Sequence, residues 1–105
     1  MTYRVIITPN AEQELRQAYR YIRERAPQAA NRWIKGARKC IKSLARYPER
    51  CPLAPESKSF EEPIRQLLYG RGNRGTYRIL YVILAKTVFV LHVRHGSMDE
   101  LRPEE

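Results

Sequence analysis

Two runs of β-branched and aromatic residues near the C-terminus are separated by only two residues, and this spacing restricts the fold more than any other feature. The runs are Thr76 to Leu84 and Thr87 to Arg94, with Ala85 and Lys86 between them. Val, Ile, Tyr and Phe favour extended strands, and a two-residue connection is too short for a crossover between parallel strands. The sequence therefore predicts an antiparallel β-hairpin in this half of the chain.

The first half of the chain predicts one strand followed by two amphipathic helices. The run Tyr3 to Thr8 has strand composition and is closed by Pro9. After it, apolar residues recur at spacings of three and four in two stretches, with Pro27 between them, and each stretch is typical of one helical face. The first stripe is Ala11, Leu15, Ala18, Tyr19 and Ile22, and the second is Ala30, Trp33, Ile34, Ala37, Ile41 and Leu44. We expect the two stripes to form a helical hairpin.

The middle of the chain is predicted to be a loop, because four of the seven prolines in the whole chain lie in the stretch from Pro48 to Pro63. A short strand is expected at Ile64 to Tyr69, followed by the sequence GRGNRG, which is typical of a hairpin turn. The order of elements is therefore β-α-α-β-β-β, an α+β fold with the helical hairpin packed on one face of an antiparallel sheet. A length of 105 residues is typical of one domain, so we expect a single domain over residues 1–105.

The chain is strongly basic, with 20 Lys and Arg against 11 Asp and Glu and a net charge of +9. Such an excess favours association with nucleic acid and equally suits an acidic protein partner. No apolar run is long enough to span a bilayer, and the N-terminus lacks a secretory signal, so we expect no membrane association and a cytoplasmic location. No metal or cofactor is expected, because Cys40 and Cys51 have no His at ligand spacing and no phosphate-binding motif is present.

Strand alternation predicts that one sheet face is cationic and not covered by the helices. On the third strand the better core set is Tyr77, Ile79, Tyr81 and Ile83. The opposite face would then carry four basic residues, namely Arg65, Arg78, His92 and Arg94. These side chains could hold a phosphodiester, stabilising charge on phosphorus and moving a proton, or they could dock an acidic peptide. The alternative is that the arginines pair with carboxylates such as Glu62, Asp99 or Glu100 and only solvate an open face.

The same alternation places apolar side chains among these cations. Leu80, Val82 and Val90 would form an apolar patch on the open face, which an isolated monomer should not expose. We therefore expect a helix or strand of a partner protein, or a second copy of the chain, to cover it.

Three segments carry a resemblance to a known family. The run from Gly75 to Tyr81, GTYRILY, and the pattern from Val93 to Gly96, VRHG, resemble the C-terminal half of the RelE/ParE superfamily, the toxins of bacterial type II toxin–antitoxin and plasmid stabilisation systems. The opening YRVIITPNAEQEL is similar to their start, so the resemblance covers roughly residues 3 to 101. It implies the same arrangement of strand, helical hairpin and three strands. It also implies a cognate acidic antitoxin, in a complex of toxin and antitoxin.

The resemblance implies two different targets within the superfamily. Nuclease members cut messenger RNA on the ribosome with basic residues on the open sheet face, where Arg78 and Arg65 match, and His95 is the nearby substitute for a general acid or base. However, Gly96 and Leu67 stand where further cations are expected. Helices of similar length in the hairpin are closer to the ParE branch, whose members poison DNA gyrase. We therefore favour a gyrase poison, with a metal-independent ribosome-dependent nuclease as the alternative and a non-toxic basic nucleic-acid-binding domain as a third possibility.

Overall fold

The computed structural model describes residues 2–70 and 75–97 and has the predicted order of elements. Strand β1 is followed by helices α1 and α2, a stretch of three short 3-10 turns, and strands β2, β3 and β4. Their bounds are Arg4–Ile7, Pro9–Arg25, Pro27–Lys42, Arg65–Tyr69, Tyr77–Leu84 and Thr87–His95, respectively. The α+β fold predicted from the sequence is confirmed. In the described part of the chain, neither helix combines the length and the apolar character that crossing a membrane requires.

The four strands form one mixed sheet in the order β1-β4-β3-β2. Strands β2, β3 and β4 pair antiparallel, as predicted, but β1 pairs with β4 in parallel, with Arg4 opposite Thr87 and Ile7 opposite Val90. The expectation of an antiparallel sheet therefore needs correction at this one pairing. Both helices, β2 and β3 lie between β1 and β4 in sequence, which is a connection long enough to return the chain in the same direction.

Prolines set the start of both helices. Thr8 caps α1, because its Oγ1 accepts a hydrogen bond from the backbone N–H of Ala11 at 3.3 Å while Pro9 occupies the first helical position. The same hydroxyl donates to the carbonyl of Val90 at 2.8 Å and ties the helix to β4. Pro27 opens α2 immediately after Ala26, whose backbone is not helical, so the predicted break between the two helices is confirmed.

The main core lies between the helical hairpin and one face of the sheet, called here the helix face. It contains the buried residues of both helical stripes together with Tyr77, Ile79 and Tyr81 of β3, as the alternation predicted. Tyr81 is fully buried, and its hydroxyl donates to the carbonyl of Pro48 at 2.5 Å, which satisfies the one polar group that its ring brings into the core.

A β-bulge changes the alternation within β4. Tyr81 pairs with Val90 but the preceding Leu80 pairs with His92, so Leu91 is an extra residue on β4. Val90 and Val93 consequently both enter the main core, although an unbroken period of two places them on opposite faces. The prediction that Val90 belongs to an exposed patch is wrong for this reason.

The opposite face of the sheet, called here the loop face, is also covered. Residues 54–64 fold back over it, and Ala54, Ile64, Leu80 and Val82 form a second buried cluster against which Phe60 packs. The expectation that Leu80 and Val82 are exposed until a partner covers them is therefore also wrong. Proline-rich composition predicts a loop correctly but does not say which surface the loop packs on.

The connections around β3 use positive backbone φ angles. Gly70 and Gly75 flank the predicted glycine-rich turn with φ values of 91° and 76°, whereas residues 71–74 lie outside the described part. Between β3 and β4, Ala85 adopts a φ of 55°, a value that a non-glycine residue reaches at some cost in a tight hairpin.

Candidate functional site

The predicted cation Arg78 is held in an ion pair within the chain itself. Its Nη1 and Nη2 donate to the two carboxylate oxygens of Glu56 at 2.9 and 2.5 Å, and its Nε donates to Oε1 of Gln66 at 3.0 Å. The side chain of Glu56 is fully buried and that of Arg78 is only 11% exposed. A two-point contact of this kind orients the guanidinium firmly and neutralises its charge, so Arg78 does not project toward solvent as a free cation.

Hydrogen bonds of the covering loop fix the position of Glu56. This residue lies in a 3-10 turn, Pro55–Ser59, on the loop face. Ser57 Oγ accepts from the backbone N–H of Ile64 at 3.0 Å, and the N–H of Ala54 donates to the carbonyl of Ile64 at 2.7 Å. These bonds close the base of the loop, so that the carboxylate of Glu56 is presented to the sheet.

Arg94 and His92 lie on the same side of the sheet as Arg78 but in different surroundings. Arg94 is directly opposite Arg78 in the pairing of β3 with β4 and is buried, with 7% of its surface exposed. His92 lies opposite Leu80, and its Nδ1 is 3.2 Å from both carboxylate oxygens of Glu14 on α1. The three residues thus share a face, as predicted, without forming an open cationic surface.

Glu14 also completes the hydrogen bonding of β4 where its neighbour β1 has ended. Its Oε1 accepts from the backbone N–H of Val93 at 2.9 Å. A side chain on α1 thereby takes the place of the missing strand partner, which otherwise leaves a backbone donor unsatisfied at the sheet edge.

Arg65, the fourth predicted cation, does not join the others. It lies opposite Tyr81 in the pairing of β2 with β3, and directly opposite residues share a face, so Arg65 is on the helix face. Its Nη1 donates to the carbonyls of Cys51 and Glu49 at 2.6 and 3.2 Å. The expectation of a common face for Arg65 and Arg78 is therefore wrong, because the register is one residue away from the one that would unite them.

His95 is also on the helix face, opposite Tyr77, and the two rings contact edge to face at 5.1 Å between centroids. Tyr77 in turn contacts the ring of Trp33 on α2, and burial raises the pKa of its phenol. The backbone N–H of Ser97 donates to Nδ1 of His95 at 3.0 Å. Arg78 and His95, the two candidate catalytic residues, project from opposite faces of the sheet and do not share a reaction space.

A cavity that the sequence did not predict adjoins His95. It has a volume of about 550 Å³ and lies where the end of α1 meets β3 and β4. Its described lining residues are Tyr21, Ile22, Arg25, Ala26, Tyr77, His95 and Ser97. The guanidinium of Arg25 stacks 3.6 Å from the centroid of the Tyr21 ring. The one sequence feature that could have indicated this cavity is the spacing of four residues between Tyr21 and Arg25, because residues four apart meet on the surface of a helix.

The described residues contain no candidate metal centre. Among residues 2–70 and 75–97, no three His, Cys, Asp or Glu side chains lie close enough together to hold an ion. Cys40 and Cys51 are both free thiols, and burial raises the pKa of Cys40, which disfavours its reactive thiolate form.

Solved structures with the same fold come from toxin–antitoxin complexes. A chain of the chromosomal ParDE toxin–antitoxin system from P. aeruginosa superposes with a TM-score of 0.69 at 17% identity, over 90% of this chain and 96% of that one. A chain of the toxin–antitoxin complex RelBE2 from Mycobacterium tuberculosis has a TM-score of 0.50 and 27% identity, over 90% and 99% of the two chains. No curated protein sequence matched the chain.

The family model described as the ParE toxin of the type II toxin–antitoxin system parDE matches residues 5–100. This range includes both helices and all of β2, β3 and β4, together with most of β1. A match over nearly the whole chain, joined to the shared fold, assigns the molecule to one family. The chain belongs to the ParE toxin family of type II toxin–antitoxin systems.

Proposed function

We propose that this toxin inhibits growth by poisoning DNA gyrase and that it does not act as a ribosome-dependent nuclease. The observation that carries the proposal is the ion pair between Glu56 and Arg78. Cleavage of RNA without a metal needs a cation aimed at the phosphate and a proton donor or acceptor within reach of the same phosphate. In this chain the cation is neutralised by a buried carboxylate, and His95 is on the other face of the sheet.

The positions of the other predicted cations also argue against a nuclease. Arg65 binds backbone carbonyls on the helix face, and Arg94 is buried beside Arg78. Neither residue extends a basic surface that could follow an RNA backbone, which requires several accessible cations in a row. A toxin that acts by docking onto a protein target needs no such surface, and membership of the ParE family favours a target of that kind.

The nuclease reading remains the alternative because the RelBE2 chain, at 27% identity, is the more similar of the two in sequence. One variant with two substitutions distinguishes the gyrase hypothesis from the nuclease hypothesis. Replacing the ion pair with apolar residues of similar size, as Glu56→Leu with Arg78→Met, removes the candidate catalytic cation while leaving the fold intact, because such replacements of buried pairs are often neutral or stabilising. A nuclease should lose about 10²-fold or more of its rate, whereas a gyrase poison should keep its activity.

The experiment compares wild type and this double variant after induction in bacteria and with purified components. We expect both proteins to increase gyrase-bound cleaved DNA and to inhibit supercoiling by purified gyrase, with messenger RNA left intact. The proposal would be overturned in favour of the nuclease if the wild type cuts messenger RNA within codons on ribosomes and the double variant does not. Salt-sensitive binding to nucleic acid without growth arrest by either protein would instead support the non-toxic basic domain.

A further inference from the structure

We propose that the cavity at the end of α1 anchors an acidic segment of the cognate antitoxin, taking one large apolar or aromatic side chain and a carboxylate that neighbours it. The inference rests on the assignment of the chain as an antitoxin-neutralised toxin, but it does not depend on which target the toxin attacks. We call the cavity the Tyr21 pocket, after the residue that forms its outer wall.

The walls of the Tyr21 pocket suit an apolar side chain. Tyr21 is 57% exposed, although large aromatic residues are usually covered in a folded protein. Behind it, Ile22 and Tyr77 are buried members of the main core, so the floor of the pocket is rigid. A volume of about 550 Å³ is within the range of pockets that bind small groups, and it exceeds what a single bulky side chain needs.

The rim of the pocket supplies a positive charge in a fixed position. Arg25 stacks on the ring of Tyr21, and its Nη1 donates to the carbonyl of Tyr21 at 2.9 Å. The carboxylate of the neighbouring Glu24 lies 3.8 Å from the same Nη1, in an exposed ion pair. These contacts engage only Nη1 and the face of the guanidinium, so its other N–H groups remain as donors for a partner carboxylate. An arginine held by contacts of this kind loses less conformational entropy on binding than a freely rotating one.

The chemistry of the pocket favours an acidic peptide over nucleic acid. Arg25 is the one permanently charged residue among its described lining residues, and the rest are aromatic, apolar or small apart from His95. Nucleic acid is bound by series of cations that follow the phosphates, whereas one arginine beside an aromatic wall matches one carboxylate next to an apolar side chain. The net charge of +9 adds a general attraction for an acidic partner and speeds its encounter with the toxin.

The test measures the affinity of the acidic antitoxin encoded beside this chain for purified full-length toxin variants. We expect Tyr21→Ala to weaken binding by about 10-fold or more at every salt concentration, because it removes the apolar wall, and Tyr21→Phe to restore it. Arg25→Ala should weaken binding by about 5- to 10-fold at low salt and make the affinity less dependent on salt. The matched control Arg20→Ala, which removes an exposed arginine of the same helix outside the pocket, should change the affinity by less than about 2-fold.

Growth assays separate the failure of this inference from the failure of the toxin assignment. We expect the Tyr21→Ala toxin to arrest growth when it is expressed alone and to need more antitoxin for rescue than the wild type. Unchanged antitoxin affinity for both pocket variants would overturn the inference and leave the toxin assignment standing. Unchanged antitoxin affinity combined with loss of growth arrest would assign the pocket to the target of the toxin. A wild-type chain that never arrests growth would instead contradict the proposed function.

Discussion

Glu56 and Arg78 form a two-point ion pair across the loop face of the sheet, joining the 3-10 turn Pro55–Ser59 to strand β3. Removing two charges from water is expensive, and here the attraction between them is aided by a further hydrogen bond that Nε of Arg78 donates to Oε1 of Gln66. The pair therefore has two consequences. It fastens the proline-rich loop over the second core cluster, and it withdraws from solvent the arginine that the nuclease hypothesis places at the phosphate.

The first prediction concerns the stability that depends on this pair. Glu56→Leu alone should lower the free energy of unfolding by about 3 to 5 kcal/mol, because it leaves the guanidinium of Arg78 buried without its partner. Adding Arg78→Met should recover most of the loss. Urea unfolding followed by circular dichroism measures both effects. The control Glu61→Leu, at an exposed site in the same loop, should change the value by less than about 0.5 kcal/mol. A double variant no more stable than Glu56→Leu would contradict this account.

The second prediction concerns the edge of β4 beside α1. Glu14→Ala should lower the free energy of unfolding by about 1 to 3 kcal/mol, because the backbone N–H of Val93 then loses its acceptor. Glu14→Gln should cost less, since its side-chain oxygen can still accept. Amide hydrogen exchange at Val93 reports the local effect, and we expect faster exchange in the alanine variant only. Glu24→Ala, at an exposed position of the same helix, is the control. Equal exchange at Val93 in all three variants would show that Glu14 does not protect it.

Local patterns predicted the elements of the fold well but not their packing partners. Pro27, the apolar stripes and the two-residue connection at Ala85 act over a few residues, so the helices and strands could be recognised from the sequence. The parallel pairing of β1 depends on the path of the whole chain. The bulge at Leu91 inserts one residue into β4 without any change in composition. It places Val88 and Val90 on the helix face, whereas an unbroken alternation assigned them to the opposite face.

The candidate site was harder to predict than the fold because its electrostatics come from distant parts of the chain. Glu56 is 22 residues from Arg78 in sequence, and Glu14 is 78 residues from His92. Because the two members of each pair are so far apart in the chain, no short sequence motif indicates either pairing. The Tyr21 pocket likewise joins α1 to the ends of β3 and β4. The spacing of Tyr21 and Arg25 could have indicated the side of the pocket that α1 supplies, but not the side that the strands supply.

The third prediction concerns acid stability. Two hydrogen bonds from Arg38, with further help from Arg16, lower the pKa of Glu12 from 4.5 to about 2. A carboxyl group whose pKa is lower in the folded state stabilises the fold above its unfolded pKa and loses that contribution as the pH falls. The free energy of unfolding should therefore decrease between about pH 4.5 and pH 2 less steeply in Glu12→Gln than in the wild type. Unfolding by urea across this pH range measures the difference, with Glu24→Gln as the exposed control. Parallel curves for Glu12→Gln and the wild type would contradict the prediction.

The fourth prediction concerns Gly36, in the middle of α2, where alanine would ordinarily stabilise a helix by about 1 kcal/mol. A β-carbon at this position would overlap the hydroxyl oxygen of Tyr69, which donates to the carbonyl of Trp33 at 2.9 Å. Gly36→Ala should therefore destabilise the protein, because either the ring of Tyr69 or the helix must move.

The same contact predicts a specific coupling between the two residues. Tyr69→Phe alone should cost about 0.5 to 1.5 kcal/mol for the lost hydrogen bond. It also removes the hydroxyl oxygen that overlaps the added β-carbon, although the ring carbon Cζ stays 3.1 Å from that position. Gly36→Ala should thus be markedly less damaging in the Tyr69→Phe background than in the wild type. A double-mutant cycle by urea unfolding measures this coupling. Ala29→Gly, at a half-buried position of the same helix, is the control for propensity, and it should show no coupling to Tyr69→Phe. Additive effects of Gly36→Ala and Tyr69→Phe would contradict the close approach of α2 to β2 at this point.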